Sequence, residues 1–454
     1  MKEALLFYEY MPHGTADRAE DLRVLLHASR PRWVIGNGTF CETARLLGDG
    51  KSCDEAGRIL AAQFGIDFDR AIQDVWYVAD RLSASGMLDK SGKESPVRIP
   101  EPRSLFIYVT GRCNLSCDHC YNTEMPRDDF PPHLYRRTVD ELVQMGGKSI
   151  VLGGGEPLLH PELKELLTYG GRHCAMNLLT NGALLDGEWA RILSDLEDVS
   201  IQISLDGAHQ EVHDAIRGKG AFAKALKAIG HLHEAGLGKK IVLAATAMAG
   251  NLADLPELVD LADRLGVPHV RYQVLRKKGN AERKWDLVGA PVAEDDYERF
   301  FDRMLQGRNG NGVPVEVSCG LSGFMLVLPE GFPADDLWCP VGKQIIVTPQ
   351  GDAFPCVLLQ GENFALGNVF RDGLARVTAS EKMARTCSAL AARRERIAEC
   401  VCCPWRNLCQ GGCMGEALEQ WGTVWERDRF CSYRRKLYER SFVKLLDRAA
   451  RSGR

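Results

Sequence analysis

Residues 104–122 read SLFIYVTGRCNLSCDHCYN, an apolar stretch followed at once by three cysteines. The run LFIYVT is rich in β-branched and aromatic residues, which predicts a buried strand. Cys113, Cys117 and Cys120 follow with the spacing CxxxCxxC, so three thiols lie on the loop that leaves the strand. Three thiolates placed in this way can hold three irons of a four-iron, four-sulfur cluster and leave the fourth iron open. Zinc is the alternative, with His119 as a fourth ligand, although zinc usually takes ligands in CxxC pairs.

The alternation of strand and helix continues from Ser104 to about Leu275. Further apolar strand runs lie at 148–154, 174–180, 199–207, 239–248 and 268–275. Helical patterns lie between them at 133–146, 161–171, 187–197, 222–236 and 254–266. Six such units predict an α/β fold in which a parallel sheet curls into a partial (β/α)6 barrel with its functional loops at the strand carboxyl ends. We place this domain at residues 96–310.

The first part of the chain predicts a separate small α/β domain at residues 1–95. A strand pattern at 32–36 precedes helical patterns at 39–50, 52–65 and 68–86. Ser52 or Asp54 is the expected cap of the middle helix, and Gly65 its end. Helices with a short strand component suggest a winged helix. The charge- and proline-rich segment from Lys90 to Arg103 is the expected linker.

Beyond residue 310 the pattern changes to short strands, glycines and prolines. Ten of the sixteen cysteines lie in this part of the chain. Such a segment is expected to be held together by metal, so we place a third, cysteine-rich domain at residues 311–454.

The composition excludes several classes of function. The net charge of -4 and the pI near 6.3 provide no basic surface for a phosphate backbone, so nucleic acid is not an expected partner. Because we find neither a signal peptide nor the roughly 18 apolar residues of a membrane span, we expect a cytoplasmic protein without membrane contact. In that reducing compartment, clustered cysteines indicate metal or redox chemistry rather than disulfides.

Short motifs follow three more of the predicted strands. GGGEP occupies 153–157, LTNG 179–182 and SLDG 204–207, and HDAIRGKGAF follows at 213–222. Together with CxxxCxxC, this set resembles the radical S-adenosylmethionine enzymes. The resemblance implies that Cys113, Cys117 and Cys120 hold a catalytic [4Fe–4S] cluster whose open iron binds S-adenosylmethionine. Reductive cleavage of that cofactor would give a 5′-deoxyadenosyl radical that abstracts a hydrogen atom from the substrate.

The same motifs supply candidate contacts to S-adenosylmethionine. Glycines let a ligand approach the backbone closely, and the resemblance implies that this loop and Glu156 receive the methionyl amine. Ser204 and Asp206 would bind ribose hydroxyls or the methionyl carboxylate, and Arg217 would pair with that carboxylate. A strand-end turn, a surface charge at Arg217 and a core aromatic at Tyr121 are the alternatives. The candidate set is Tyr121, Gly153, Gly154, Gly155, Glu156, Pro157, Asn181, Ser204, Asp206 and Arg217.

Seven cysteines near the C-terminus resemble the SPASM extension of the same superfamily. By that resemblance, a first auxiliary [4Fe–4S] cluster takes Cys339, Cys356 and Cys413, and a second takes Cys400, Cys403, Cys409 and Cys431. Cys319 is the candidate fourth ligand of the first cluster; otherwise that site stays open. Cys402 is a possible substitute for a neighbour, and a zinc ribbon is the alternative to both clusters. A redox relay and a purely structural role are both open for these clusters.

The N-terminal segment resembles a PqqD-like peptide recognition domain, which in relatives adds a leader peptide as an extra strand. A DNA-binding winged helix is the competitor, but the last helices carry no basic stripe. The resemblance therefore implies a radical maturase of a ribosomally made precursor peptide, acting by oxidative cross-linking through a thioether or carbon–carbon bond. Epimerisation is a neighbouring possibility. The expected partners are the precursor, bound through its leader, and a reductase or flavodoxin-type electron donor.

Three other functions compete with this one. A haem- or cofactor-tailoring enzyme shares the cysteine motif but usually lacks the leader-binding domain. A sulfatase-type maturase that makes formylglycine would carry an aspartate after the second SPASM cysteine, where this chain has Val357. A non-catalytic iron–sulfur scaffold or redox sensor would bind no S-adenosylmethionine.

Overall fold

The structure is a computed structural model of the chain. It describes residues 7–10, 22–27, 32–85, 87, 99–288, 295–296, 298–300, 315–317 and 339–452.

The N-terminal unit is a three-stranded antiparallel sheet followed by three helices. Its strands β1 Phe7–Tyr10, β2 Leu22–His27 and β3 Trp33–Asn37 pair in the order β1-β2-β3. Its helices are α1 Gly38–Gly48, α2 Cys53–Phe64 and α3 Phe68–Ala84. The prediction for α2 is confirmed, because Ser52 forms a reciprocal capping box with Glu55 and Gly65 ends the helix at a φ of 62°. The sequence analysis missed β1 and β2, and Gly86, the last residue of the third helical pattern, lies outside the described residues.

The centre of the molecule is a parallel sheet built by the six predicted strands. They are β4 Ser104–Thr110, β5 Ser149–Gly154, β6 Ala175–Thr180, β7 Val199–Ser204, β8 Ile241–Ala247 and β9 His269–Val274. They pair in parallel in the order β9-β8-β7-β6-β5-β4. Their carboxyl ends therefore lie along one edge of the sheet, where the cysteine loop and the other motifs begin.

Helices follow the strands as the sequence predicts, with three short additions. The helices of this region are α4 Pro132–Gln144, α5 Leu163–Gly171, α6 Gly187–Ser194, α7 Gln210–Arg217, α8 Ala221–Glu234, α9 Glu257–Arg264, α10 Asn280–Arg283 and α11 Trp285–Val288. The analysis missed α7, α10 and α11, which have at most eight residues and too few turns for a clear apolar period.

The C-terminal region extends this central sheet at both ends. β10 Val315–Val317 pairs in parallel with β9, and β11 Gln344–Val347 pairs in parallel with β4. β12 Asp352–Phe354 and β13 Gly367–Asn368 continue the sheet in antiparallel fashion. Within the described residues the sheet thus has ten strands, and it runs on across the domain boundary predicted at residue 310.

The remainder of the C-terminal region is helical. Its helices are α12 Val369–Asp372, α13 Leu374–Thr378, α14 Glu381–Arg396, α15 Ala398–Val401, α16 Arg406–Cys409, α17 Met414–Trp421 and α18 Cys431–Ser452. Of the seven predicted cluster cysteines, Cys400, Cys409 and Cys431 lie on these helices, and Cys413 directly precedes α17.

The N-terminal sheet packs against the C-terminal helix. The ring centroids of Trp33 and Phe442 are 5.1 Å apart, at nearly right angles. The Asn407 side chain donates a hydrogen bond to the His27 carbonyl at 3.0 Å. The N-terminal unit and the C-terminal region are therefore in direct contact. In the part of the chain that the structure describes, no helix has the length and apolarity that a membrane crossing requires.

Apolar packing fixes where the strands end and therefore where their loops begin. Leu105, Ile107 and Val109 of β4 are fully buried, as are Ile150 and Leu152 of β5. Burying one such side chain contributes about 1.5–3 kcal/mol. The two strands that carry the cysteine loop and the glycine motif are consequently held side by side.

Candidate functional site

The three-cysteine loop leaves the carboxyl end of β4 and is anchored by the start of α10. The Asn280 side chain donates to the Cys117 carbonyl at 3.0 Å, and the Asn280 N–H donates to the Cys120 carbonyl at 2.9 Å. Cys117 is buried, Cys120 is half-buried and Cys113 is exposed. One residue from a distant segment thus holds the backbone at two of the three cysteines.

All three thiols of this loop have a raised pKa. Loss of water around the sulfur is the largest cause for each, even for Cys113, which is exposed as a whole residue. The charge of another thiol of the set adds to the rise: Cys120 acts on Cys113, Cys113 on Cys117, and Cys117 on Cys120. The positive charge of Arg217 opposes the rise, and its guanidinium lies 3.9 Å from the Cys117 sulfur. Three thiols held close together can all become thiolate ligands when they bind iron, which is the ligand type that iron–sulfur clusters take. The donor set therefore fits an iron–sulfur cluster.

The glycines of GGGEP let the cysteine loop approach β5 closely. A Cβ at Gly154 would collide with the Thr110 carbonyl, and one at Gly155 would lie 2.6 Å from the carbonyl carbon of Arg112. The Gly155 N–H donates to the Thr110 carbonyl at 2.8 Å. Because Arg112 directly precedes Cys113, the glycines determine how closely the cysteine loop lies against the end of β5. Their predicted contact with the methionyl group stays a prediction.

Glu156 joins two of the motifs from a fully buried position. Its carboxylate accepts hydrogen bonds from the Thr180 hydroxyl at 2.6 Å and from the Asn181 N–H at 2.8 Å. The Asn181 side chain donates to that of Asn114, in the cysteine loop, at 2.9 Å. Burial raises the pKa of Glu156. The motifs GGGEP, LTNG and CxxxCxxC thus form one hydrogen-bonded unit, and the predicted ammonium contact of Glu156 remains to be tested.

Asp206 and Arg217 form a buried ion pair beside the cysteines. Arg217 Nε lies 2.6 Å from Asp206 Oδ2, and the Thr246 N–H donates to Oδ1 at 2.7 Å. Burial alone would raise the pKa of Asp206, but Arg217 and His119 bring it down to about 2. The surface-charge alternative for Arg217 is wrong, because only 11% of its side chain is exposed. Asp206 therefore orients Arg217 towards Cys117; the ligand roles of both residues stay predictions.

Tyr121 lies where the cysteine loop meets the C-terminal region. Its hydroxyl is 3.3 Å from that of Tyr108, which accepts a hydrogen bond from the Gln360 side chain at 2.9 Å. The Arg276 guanidinium lies 4.7 Å from the Tyr121 ring centroid, and its Nε lies 3.7 Å from Glu419. The site loop is thereby connected to two C-terminal segments. The adenine contact of Tyr121 stays a prediction.

The first of two C-terminal cysteine groups consists of Cys339, Cys356 and Cys413. Burial is the largest cause of the raised pKa of Cys339 and Cys356. The next cause in each case is another member of the group, Cys356 for Cys339 and Cys413 for Cys356. The structure thus brings together the three cysteines predicted for the first auxiliary cluster. Cys319, their candidate partner, lies outside the described residues.

The second group consists of Cys400, Cys403, Cys409 and Cys431. Burial raises the pKa of Cys400 to about 12, and the other three thiols add to the rise. All four line one cavity together with Trp405, Arg434 and Tyr438. Cys402 is exposed and does not line that cavity. The fold therefore assembles the four cysteines that the SPASM resemblance assigned to the second cluster, and their donor set fits such a cluster.

The remaining candidates occupy less informative positions. Ser204 is half-buried at the end of β7, and Pro157 is buried at the start of a 3-10 turn, Pro157–Leu159. The sequence analysis missed Asn280 and Arg276, which belong to no recognisable motif. Their only signal was a position just after the sixth strand, at the edge where the other motifs lie.

Two family models match the chain. The model described as the radical SAM superfamily matches residues 107–262. The model described as SPASM, an iron–sulfur cluster-binding domain, matches residues 339–404. Both matches agree with the resemblances found in the sequence, and the second supports iron–sulfur clusters over a zinc ribbon.

Curated relatives include proteins of different stated activities. The mycofactocin maturase MftC of Mycobacterium tuberculosis is 32% identical over 328 residues, which are 69% of this chain and 78% of that protein. The AdoMet-dependent heme synthase of Methanosarcina barkeri is 26% identical over 73% of this chain and 97% of that protein. The antilisterial bacteriocin subtilosin biosynthesis protein AlbA of Bacillus subtilis is 27% identical over 96% of each chain.

Solved structures share the fold. SuiB of Streptococcus suis bound to S-adenosylmethionine superposes with a TM-score of 0.61 at 17% identity and covers 91% of this chain and 99% of its own. SuiB bound to its precursor peptide SuiA gives a TM-score of 0.60 at 16% identity and covers 92% of this chain. The family matches, the relatives and the cysteine geometry agree: the chain is an enzyme that belongs to the radical SAM superfamily.

Proposed function

We propose that the chain is a radical S-adenosylmethionine maturase that modifies a ribosomally made precursor peptide, by oxidative cross-linking through a thioether or carbon–carbon bond. The observation that carries the proposal is the N-terminal sheet. β3 pairs with β2 on one side and, as far as the chain is described, with no strand on the other. An open edge of this kind can take up an extended peptide as a further strand.

The relatives support a peptide substrate. MftC and AlbA are named for the maturation of mycofactocin and the biosynthesis of subtilosin, and the SuiB structure contains a precursor peptide. The AlbA match covers 96% of this chain, so it extends over the N-terminal unit. We therefore interpret residues 1–95 as a PqqD-like winged-helix domain that binds the leader.

The cysteine groups support three [4Fe–4S] clusters, one on the CxxxCxxC loop and two on the C-terminal groups. When bound to the first cluster in its reduced form, S-adenosylmethionine supplies the 5′-deoxyadenosyl radical. The chain itself orients that site: Asn280 fixes the loop, Asp206 aims Arg217 at Cys117, and Glu156 ties the loop to LTNG. A reductase or flavodoxin-type protein is the proposed electron donor.

Haem tailoring is the second candidate, because heme synthases are among the relatives. Nearly all of that relative is covered, yet about a quarter of this chain has no counterpart in it. A leader-binding domain accounts for such an extra segment. The sulfatase-type activity has less support, since the half-buried Val357 cannot act as the base expected after Cys356.

The test uses full-length protein reconstituted and reduced without oxygen. It is incubated with S-adenosylmethionine and the small-peptide fraction of its host, and peptide masses are compared with those from Cys113→Ala and Cys402→Ala variants. A peptide that loses pairs of hydrogens with the wild-type and Cys402→Ala proteins, and not with Cys113→Ala, supports cross-linking. Formation of 5′-deoxyadenosine with no change in any peptide, together with turnover of an iron porphyrin, would instead favour haem tailoring.

A further inference from the structure

Arg393 of α14 is fully buried and lies against the chain segment that joins the two C-terminal cysteine groups. Its Nη2 donates to the Gly411 carbonyl at 2.7 Å and to the Glu426 carbonyl at 3.1 Å. Gly411 lies between Cys409 of the second group and Cys413 of the first. A Cβ at Gly411 would lie 2.9 Å from the Arg393 Cβ, so the segment passes directly over the arginine.

Arg393 has hydrogen-bonding capacity that the protein does not use. Its Nε and Nη1 are buried and, within the described residues, have no hydrogen-bond partner. Burial lowers the pKa of Arg393, whereas the charges of Asp428 and of Cys413, Cys400 and Cys409 raise it. The guanidinium is therefore within electrostatic reach of thiolates from both groups. Guanidinium groups stay protonated in proteins, so buried donors without partners call for acceptors.

The neighbouring charges do not cancel that of Arg393. Asp428 pairs with Arg434 at 2.9 Å, and both side chains are almost fully buried. The Cys413 N–H also donates to Asp428, at 2.5 Å. Among the described residues, no carboxylate forms an ion pair with Arg393, since the Glu426 contact is made by its carbonyl. One positive charge thus remains beside the chain segment that joins the two cysteine groups.

We propose that Arg393 is a positioning residue shared by both auxiliary clusters, whose free N–H groups face cluster sulfides and whose charge stabilises the reduced forms. This inference rests on the auxiliary clusters proposed above. One-electron reduction adds one negative charge to a cluster, and a cation in a low-dielectric interior stabilises that charge. Hydrogen bonds to sulfur shift cluster potentials in the same direction. Arg393 therefore raises the potential at which these clusters accept an electron.

Three substitutions separate charge from packing. Arg393→Met removes the charge at similar length, and Arg393→Lys keeps it. Arg385→Met removes the same charge from the same helix at a side chain that is 71% exposed. Each is made in full-length protein whose Cys113, Cys117 and Cys120 are replaced by alanine, so that only auxiliary iron is measured. Iron and sulfide contents are determined first, and midpoint potentials are then measured by titration monitored with electron paramagnetic resonance.

Arg393→Met is expected to shift the reduction equilibrium of at least one auxiliary cluster about tenfold towards the oxidised form, a fall of about 59 mV for one electron. Arg393→Lys should keep most of the wild-type potential, and Arg385→Met all of it. Loss of iron in Arg393→Met with retention in Arg393→Lys would also support the role of the charge.

Other outcomes overturn the inference. Intact clusters with unmoved potentials in Arg393→Met would show that the charge has no effect, while the proposed function would stand. Loss of iron in both Arg393 variants would show that only the packing of arginine matters. A parent protein without auxiliary iron would contradict the proposed clusters and, with them, this inference.

Discussion

Substitution of Gly155 by alanine should remove iron from the CxxxCxxC loop. The added Cβ would collide with the Arg112 carbonyl and lie 2.6 Å from its carbon and 3.0 Å from the Gly111 oxygen. Ordinary contacts of this kind begin near 3.4 Å, so the contact with the carbonyl carbon alone requires the strand and the loop to separate by about 0.8 Å, and the closer carbonyl oxygen requires more. Both obstacles are backbone atoms, which cannot rotate away as a side chain would.

The free-energy cost of this separation comes from the hydrogen bonds that it breaks. The Gly155 N–H donates to the Thr110 carbonyl at 2.8 Å, and the Glu156 N–H donates to the Arg112 carbonyl at 2.7 Å. Two backbone hydrogen bonds at about 1 kcal/mol each, added to an overpacking cost of about 1–3 kcal/mol, disfavour the docked loop by about 3–5 kcal/mol. Even the lower figure shifts the equilibrium between the docked and the undocked loop more than tenfold towards the undocked form.

The assay compares Gly155→Ala, Gly230→Ala and wild-type protein after anaerobic reconstitution, by iron content and by cleavage of S-adenosylmethionine. Gly230 is exposed in α8, and a methyl group added there would meet no neighbouring atom within 4 Å, so its alanine variant should keep all its iron. If Gly155→Ala kept full iron and lost only cofactor binding, the glycine would serve ligand approach alone, and the packing argument would be refuted.

The packing elsewhere leads to three more expected outcomes. Burial lowers the pKa of His213 to about 4. The contribution of His213 to the free energy of unfolding is therefore full above the unfolded pKa of about 6.5 and falls by about 1.4 kcal/mol for each pH unit from there down to about 4. In urea unfolding between about pH 7.5 and 5.5, the free energy of unfolding should depend less steeply on pH in His213→Asn than in the wild type, and an equal dependence would contradict the assignment. Trp33→Ala should cost about 3–5 kcal/mol and increase hydrogen exchange in residues 22–27, whereas Trp76→Ala, at a side chain 60% exposed, should not; unchanged exchange in both would argue against docking through Trp33. Cys403→Ala should lose auxiliary iron while Cys402→Ala retains it, because only Cys403 of the two lines the cavity. The reverse result would show that Cys402, not Cys403, is the cluster ligand.

Local patterns in the sequence were sufficient to predict the central strands, the three N-terminal helices and five of the helices between the central strands, but none of the C-terminal helices. An apolar run such as 105–110 specifies a buried strand because the pattern is local and the burial of each side chain is large. Ser52 and Gly65 likewise bound α2 through contacts within a few residues. The grouping of the C-terminal cysteines was implied by the resemblance to the SPASM extension, whose cysteine spacing this chain carries. The four cysteines around the second cavity were therefore foreseeable.

How these pieces meet depends on tertiary packing and could not be predicted. β11 lies beside β4 although about 240 residues separate them, and no local pattern in a four-residue strand carries that pairing. The same holds for Asn280 at the cysteine loop and for Arg393 between the cysteine groups. A lone asparagine or arginine looks like a solvated surface residue in sequence. Its role depends on long-range packing, which is set by the sum of many weak contacts across the whole core.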